Sequence, residues 1–190
     1  MDERGGVESQ SDSSLMKQVQ AGDTAQLAFL FERYHVPLFQ YLLHMSANRA
    51  LSEDLTQEVF FRVLKYAASY DSSFPFTVWL YRMARNAYFD SVHKRRGETL
   101  GTDLDLRPSE EAMPEEIVAR KQDTMFLNEA LRKLPDDKRE ILVLSRFQNL
   151  PYQEIAQVLK CEVGTVKVRV YRALKELREK FCELRGETFA

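Results

Sequence analysis

The sequence predicts an all-α protein made of two small helical domains that are joined by an acidic linker. Apolar residues recur at helical spacing from Leu15 to about Arg96, without the sustained alternation that strands require. An acidic segment with two prolines and few apolar residues then covers 97–122, which is typical of a flexible linker. Helical spacing returns after Asp123, so the chain divides into two helical halves.

The composition limits what kind of protein this chain can be. Its 190 residues are 44% hydrophobic and 29% charged, which suits one ordinary domain or two small ones and excludes a collagen or a wholly disordered chain. Lys and Arg number 27 against 29 Asp and Glu, a net charge of −2, so nucleic-acid binding would depend on local basic patches. Two cysteines, Cys161 and Cys182, are too few for a disulfide framework.

The sequence also predicts a cytoplasmic protein with no membrane contact of its own. The longest stretch without a charged residue, 34–48, contains Pro37 and is shorter than the about 20 apolar residues that a membrane span needs. The N-terminal segment 1–13 is polar and acidic and lacks the apolar core of a secretory signal. We expect this segment to form a disordered tail.

The first domain, residues 14–96, is predicted to contain four helices. The first covers 14–21. The second starts at a cap, Asp23 or Thr24, and Pro37 either kinks it or begins a new segment.

The third helix is predicted to present two different faces, and the fourth runs from about residue 77 to 94. Ser52 caps the third helix and places acidic residues in its first turn, at the positive end of the helix dipole. Its apolar stripe consists of Leu55, Val59, Val63 and Tyr66. Its other face carries Asp54, Gln57, Glu58 and Phe61.

The second domain, residues 123–184, is predicted to contain four more helices, with 185–190 as a short tail. They cover 123–134, 135–147, 151–159 and 163–184. Pro135 and Pro151 fall at first-turn positions, where proline is tolerated.

The last two helices match a helix-turn-helix, in which the second helix enters the major groove of DNA. The segment PYQEIAQVLK precedes the turn CEVG and the longer helix TVKVRVYRALKELREK. The residues that hold the two helices together are Ile155, Ala156, Leu159, Val166, Val170 and Leu174. Seven basic residues stand against three acidic ones between Lys160 and Lys180. The alternative interpretation is a solvated helix face on an ordinary bundle.

A second basic cluster lies near the end of the first domain. Its basic members, interleaved with the aromatic residues Trp79, Tyr81, Tyr88 and Phe89, are Arg82, Arg85, Lys94, Arg95 and Arg96. Basic residues neutralise phosphates and aromatic rings stack on unpaired bases, so the pattern suits single-stranded nucleic acid. Taken alone it is weak evidence, because aromatic residues at helical spacing more often belong to a core.

Three motifs occur in an order that resembles one protein family. They are DLTQEVFFRVL at 54–64, FTVWLYRMARNAYFDSV at 76–92 and, after the acidic linker, LPDDKREILVL with YQEIAQVLKCEVGTVKVRVYRALKEL. Over about residues 15–181 the chain resembles the extracytoplasmic-function (ECF) group of bacterial RNA polymerase sigma factors. The resemblance implies a region-2 domain that binds core polymerase and melts the −10 element, and a region-4 domain that reads the −35 element.

The resemblance also implies partners. They are the clamp helices and flap of core RNA polymerase, promoter DNA and an anti-sigma factor. A protein of this kind is not an enzyme and needs no cofactor or metal. The sequence has no glycine-rich phosphate loop, HExxH motif or nucleophile elbow.

Three sets of residues are expected to carry these roles. The set that docks onto the clamp helices is Asp54, Gln57 and Glu58. The set that holds the opened non-template strand, together with the loop 70–75, is Trp79, Arg82, Arg85 and Asn86. The set that meets the −35 element is Thr165, Arg169 and Arg172 facing the groove, with Lys167 against phosphate.

The chain departs from the family pattern at two positions. Lys160 stands where the family often has Gly before the turn, which would strain or lengthen that turn. Val168 stands where the family often has Ser, which alters a position near DNA. The acidic linker, with Glu110, Glu111, Glu115 and Glu116, is expected to compete with phosphate and make the free chain a poor DNA binder.

Two other regulatory interpretations fit the sequence less well. A two-domain helix-turn-helix transcriptional regulator of the response-regulator type needs an alternating β/α receiver or a sensing domain, whereas 15–96 offers only helices. An adaptor bundle without a DNA role leaves both basic clusters unexplained.

Metal sites are also poorly supported. The Glu32-x-x-His35 and Asp90-x-x-His93 spacings imitate part of a di-iron site, but the two further inward-facing Glu residues are not evident. We therefore expect His35 to be a structural histidine. The cysteines and His93 lack a zinc spacing.

Overall fold

The computed structural model describes the backbone of residues 10–98 and 115–186, and the side chains of 10–94 and 122–186. Every regular element in these ranges is helical, which confirms the predicted all-α class. The α-helices are α1 (Asp12–Gln20), α2 (Leu27–Ser46), α3 (Arg49–Lys65), α4 (Phe76–Glu98), α5 (Glu115–Arg132), α6 (Asp136–Leu142), α7 (Tyr152–Val158) and α8 (Val163–Arg185). Short 3₁₀ turns cover Thr24–Gln26 and Ala67–Ser69, and a π-helical turn covers Val143–Phe147.

Helix α1 begins at Asp12, two residues before its predicted start. The Ser11 hydroxyl caps it by accepting a hydrogen bond from the Ser14 N–H at 3.3 Å. The Asp12 carboxylate pairs with Arg33 of α2 at 2.7 Å and accepts a hydrogen bond from the Tyr34 hydroxyl. These contacts order the end of the segment that was expected to be a tail, while residues 1–9 lie outside the described residues.

The predicted Ser52 cap of the third helix is wrong. Helix α3 begins at Arg49, and its cap is Asn48, whose Oδ1 accepts from the Leu51 N–H at 2.9 Å. Ser52 is buried inside the first turn, where its hydroxyl donates to the Asn48 carbonyl at 2.7 Å. Asn and Ser are both good caps, so the sequence pattern favours neither position. Tyr66 also leaves the predicted stripe, because it follows the last helical turn and is 48% exposed.

The structure distinguishes the two alternatives at Pro37 and sets the start of α5. Helix α2 continues through Pro37, which therefore does not begin a new segment. Helix α5 begins at Glu115, so its first two turns belong to the predicted linker. The rest of that linker, 99–114, lies outside the described residues.

The first domain is a bundle in which α2 packs on α3 and α4, with α1 across one end. The helices meet through buried side chains that include Leu15, Met16, Leu30, Leu42, Val59, Val63 and Leu80. Each such side chain contributes about 1.5–3 kcal/mol through removal of apolar surface from water. This packing sets the outward direction of the polar face of α3 and of α4.

The second domain packs α5, α6 and α7 around α8. Val166, Val170 and Ala173 of α8 are fully or almost fully buried, as are Ile155 and Ala156 of α7. The predicted contact between the two helices of the helix-turn-helix is therefore present.

The turn between α7 and α8 depends on a left-handed residue. Lys160 has a φ of 52°, and the next residue, Cys161, donates its N–H to the Ala156 carbonyl at 2.9 Å. The strain that was expected at Lys160 therefore lies in its left-handed backbone conformation. Glycine, the residue often found here in the family, adopts that conformation without steric cost.

The two domains pack against each other in this structure. Helix α4 lies on α7, α2 lies against α5 and α6, and the buried residues of both halves form one continuous cluster. Arg139 of α6 links the halves with one guanidinium group. It donates to the carbonyls of Leu131, Arg132 and Leu134 at 2.7–3.1 Å and to that of Met45 at the end of α2 at 2.8 Å.

We predict that Lys160→Gly stabilises the protein. Removing the Cβ relieves the left-handed strain, and after the larger entropy loss of glycine the free energy of unfolding should rise by about 0.5–1 kcal/mol. Urea unfolding followed by circular dichroism measures it. The matched control is Lys175→Gly in the interior of α8, which should lower the same free energy by about 1 kcal/mol. A loss of stability at both positions would contradict the strain.

We predict that Arg139→Lys destabilises the protein by about 1–3 kcal/mol, because a single ammonium group cannot reach four carbonyls and leaves buried acceptors without a partner. The same unfolding measurement applies. Arg132→Lys is the control, since the Arg132 side chain is 53% exposed and its ion pair, within the described part of the chain, is with Glu129 one turn away. Equal effects of the two substitutions would show that the Arg139 network adds nothing beyond a surface charge.

Candidate nucleic-acid and polymerase interfaces

One exposed face of α3 carries the residues that were expected to meet the polymerase. Asp54, Gln57 and Glu58 are all exposed there, at spacings of three and four residues. Glu58 pairs with Arg62 at 2.5 Å, whereas Asp54 and Gln57 make no hydrogen bond or ion pair within the described part of the chain. Phe61 continues the face and is 66% exposed. An exposed aromatic ring beside unpaired polar groups is typical of a protein-binding surface.

Helix α8 presents a basic face away from the core of the second domain. Lys167, Arg169 and Arg172 are exposed and Thr165 is half-buried, so all four expected residues lie on the accessible side. The apolar Val168 and Tyr171 are also exposed, at 48% and 72%. The sequence predicts Val168 near DNA, but neither residue belongs to the predicted DNA-binding set. Apolar side chains on a groove-facing helix can contact the methyl group of thymine.

Two of the expected strand-binding residues on α4 differ in accessibility. Asn86 is exposed. Trp79 is half-buried, with its ring centroid 5.2 Å from that of Tyr70 and 6.2 Å from that of Phe76. Trp79 therefore belongs mainly to an aromatic cluster beneath the loop 70–75.

The two arginines of the same set contact the second domain. Arg82 donates from Nε and Nη2 to the carbonyl of Gln157 on α7, at 3.2 and 2.8 Å. Arg85 pairs with Glu140 of α6, with Nε 3.0 Å from Oε1 and 3.2 Å from Oε2. Its guanidinium also lies 4.9 Å from the centre of the Phe89 ring. Part of each of these two guanidinium groups is thus occupied within the chain, and the Arg85 side chain is still 39% exposed.

The carboxylate of Glu140 is the centre of this contact. It is only 2% exposed and accepts a hydrogen bond from the hydroxyl of the fully buried Tyr41 at 3.1 Å. Burial raises the pKa of Glu140, and the Arg85 charge and the two hydrogen bonds oppose that shift. Burial, together with the nearby Glu140 charge, raises the pKa of Tyr41. Both groups that oppose the upward shift, Arg85 and Tyr41, belong to the first domain.

Three further contacts surround this ion pair. Thr77 donates to Glu154 at 2.5 Å, and Tyr81 donates to Oε1 of Gln148 at 2.8 Å. The ring of His44 lies 4.1 Å from that of Phe147, and desolvation lowers the pKa of this histidine. Glu140 is not among the residues that the sequence predicts to be functional. The available signal was a glutamate within the apolar run EILVL, where a charge needs a buried partner.

His35 and His44 contact neighbouring aromatic side chains in the first domain and at the domain contact. No group of three or more His, Cys, Asp or Glu side chains among the described residues is arranged to hold a metal ion. The His35 ring stacks on Phe31 at 4.8 Å and its Nδ1 lies 2.8 Å from the Phe31 carbonyl. Asp90 belongs to the second sequence spacing that resembles part of a di-iron site. Its Oδ2 lies 3.5 Å from Nη1 of Arg62. Of the described helices, none has the length and apolar character to cross a membrane.

Comparisons with known proteins agree with this two-domain arrangement. The family model of sigma-70 region 2 matches residues 30–98, and that of sigma-70 region 4 matches residues 127–177. The ECF RNA polymerase sigma factor SigW of Bacillus subtilis is 30% identical over 179 residues, which are 89% of this chain and 96% of the relative.

Two solved structures share the fold at 23% identity. CnrH in complex with the cytosolic domain of CnrY has a TM-score of 0.71 and covers 94% of this chain and 100% of its own. The sigma factor RpoE of Bartonella quintana, in complex with the anti-sigma factor NepR, has a TM-score of 0.66 and covers 80% and 94%. The response-regulator alternative needs a receiver or sensing domain in the first half of the chain. The match to sigma-70 region 2 lies there instead, which excludes that alternative. The chain belongs to the ECF group of bacterial RNA polymerase sigma factors, which act in the initiation of transcription.

Proposed function

We propose that this chain binds core RNA polymerase through α3 and directs it to promoters that α8 reads at the −35 element and α4 opens at the −10 element. The observation that carries the proposal is that the two domains expose side chains of different kinds. One domain presents an acidic and aromatic face, and the other presents a basic recognition helix. The direct test is promoter-specific transcription with core polymerase, on promoters selected from a random DNA library.

The proposal includes three properties that follow from this role. The protein acts in the cytoplasm, because its DNA and polymerase partners are there. It catalyses no reaction itself and contributes binding energy to the polymerase. It is held inactive by an anti-sigma factor, as the complex of RpoE with NepR supports for a chain of the same fold. Its clamp-binding surface lies in the first domain, and we assign the flap contact to the second.

We predict that Asp54→Lys with Glu58→Lys weakens binding to core polymerase at least about tenfold, or about 1.4 kcal/mol. The two carboxylates are exposed, so reversal of their charge should leave the fold intact. The lysines would remove the carboxylate contacts with polymerase or place like charges opposite each other in the interface. Fluorescence titration with core polymerase measures this. Phe61→Ala tests the aromatic part of the same face.

The control for the α3 prediction is charge reversal at two exposed acids away from that face, Glu32→Lys with Glu183→Lys. It changes the net charge by the same amount and should leave the affinity within about twofold. Equal loss in both variants would indicate a general electrostatic effect, and unchanged affinity in the α3 variant would remove α3 from the interface.

We predict different effects for two basic residues of α8. Arg172→Ala should flatten the preference among −35 variants, because a bidentate arginine–guanine contact supplies about 1–3 kcal/mol of discrimination. Lys167→Ala should weaken all sequences alike and lower the salt dependence by about one phosphate contact. Holoenzyme binding across −35 variants and salt concentrations distinguishes them. Lys133→Ala, on an exposed lysine after α5, is the control. An unchanged ranking with Arg172→Ala would move base reading to Arg169, Val168 or Tyr171.

A further inference from the structure

The loop 70–75, which is expected to hold the opened −10 strand together with α4, is exposed over most of its length. Residues 71–75 are all exposed. The Asp71 carboxylate accepts a hydrogen bond from the Ser73 N–H at 2.9 Å, and the Asp71 carbonyl accepts one from the Phe74 N–H at 3.2 Å. These bonds lie within the loop, so they set its shape and not its position on the domain. Its position depends on how its two ends are attached.

The first end of the loop is attached to α1 by one side-chain amide. Gln20 lies in the last turn of α1, and its Nε2 donates to the Ala67 carbonyl at 3.0 Å and to the Tyr70 carbonyl at 2.9 Å. The Ala67 carbonyl also accepts from the Tyr70 N–H at 3.0 Å. The Gln20 amide therefore joins both ends of the 3₁₀ turn that leads into the loop.

The far end of the loop is attached through the side chain of Tyr70. This residue is 5% exposed, and its hydroxyl donates to the Phe74 carbonyl at 3.0 Å. The Ser13 hydroxyl of α1 lies 3.3 Å from the same Tyr70 hydroxyl. Ser13 and Gln20 are seven residues apart, which places both on one face of the helix. Helix α1 thus contacts the base of the loop at two points that are about 10 Å apart along the helix axis.

Helix α1 is itself held on the core of the first domain. Leu15 and Met16 are fully buried, and Val19 is nearly so. The ion pair between Asp12 and Arg33 fixes the first turn of the helix on α2. A helix that is fixed along its length can hold the polar groups of the loop in one position.

We propose that α1 holds the loop 70–75 in position and that Gln20 is a positioning residue for capture of the opened −10 strand. This inference rests on the proposed assignment of the loop to strand binding. A loop that has to be ordered during binding costs conformational entropy, whereas a loop that is already in place does not. Loss of the Gln20 contacts should therefore reduce discrimination among −10 sequences and leave binding to core polymerase unchanged.

The test compares two substitutions of the same kind on α1. Gln20→Met removes the amide donor and keeps a neutral, unbranched side chain that favours helix, at an exposed position where the fold does not depend on it. Gln18→Met is the matched control. The Gln18 amide donates within the N-terminal segment, to Oε1 of Gln10 at 2.9 Å and to the Ser14 carbonyl at 3.4 Å.

The first measurement detects the position of the loop in the full-length free chain, without DNA. Trp79 is the only tryptophan in the sequence, and its ring centroid lies 5.2 Å from that of Tyr70 at the base of the loop. Gln20→Met should raise the rate constant for acrylamide quenching of Trp79 fluorescence about twofold, because the loop opens locally more often. Gln18→Met should leave this rate constant unchanged. Equal rate constants for wild type and Gln20→Met would overturn the proposal.

The second measurement uses the holoenzyme and short fluorescent single strands. One strand carries the −10 sequence that the holoenzyme selects from a random library, and the others carry single-base changes. The affinity ratio between the selected strand and the changed strands should fall about fivefold in Gln20→Met, the effect of one or two lost hydrogen bonds. The ratio in Gln18→Met and the affinity of both variants for core polymerase should not change. Equal losses in both variants would indicate general loosening of α1 and refute the role of Gln20.

Phe74→Ala separates failure of this proposal from failure of the proposed function, because it removes a 39% exposed ring from the loop itself. If Phe74→Ala lowers the affinity ratio and Gln20→Met does not, the loop binds the strand and the positioning role of Gln20 is wrong. If neither substitution lowers the ratio, the loop does not bind the strand, and its assignment fails together with the proposal. Trp79 quenching then still shows whether Gln20 fixes the loop.

Discussion

The carboxylate of Glu140 lies buried at the contact between the two domains and depends on partners from across it. A buried carboxylate is costly unless charged and polar partners replace water, and Glu140 obtains both partners from the first domain, Arg85 and Tyr41. Because the pair spans the domain boundary, separation returns Glu140 and Arg85 to solvent together. The contact contains an ion pair and hydrogen bonds that water can replace, and the buried residues of both domains form one continuous cluster across it.

The same α4 helix carries the internal contact and the proposed nucleic-acid surface. Its buried side is anchored by Phe76, Leu80 and Ala84, which hold the helix against the first domain whether or not the second domain is packed on it. The outward side is then available to one occupant at a time. The acidic face of α3 and the basic face of α8 point away from the closed contact, so the structure separates polymerase binding and −35 reading from the −10 surface that is covered.

Much of this could be predicted from the sequence, because helical periodicity and the helix-turn-helix pattern depend on local spacing. The stripes of α3 and α8 follow that spacing, and Leu55, Val59, Val166 and Val170 are buried as predicted. The α3 cap was placed at Ser52 instead of Asn48 because both residue types favour caps. The contact through Glu140 could not be predicted, because it joins residues 55 and 99 positions apart in the chain. The roles of the surface residues remain predictions.

The two domains of the free chain are packed together in this structure, and we expect promoter binding to separate them. Spin labels at the exposed positions Lys17 on α1 and Glu183 on α8, in a chain with Cys161→Ser and Cys182→Ser, report the separation of the domains by pulsed dipolar spectroscopy. We expect one narrow, short distance for the free chain and a longer distance in the holoenzyme bound to promoter DNA. The same distance in both states would contradict the account.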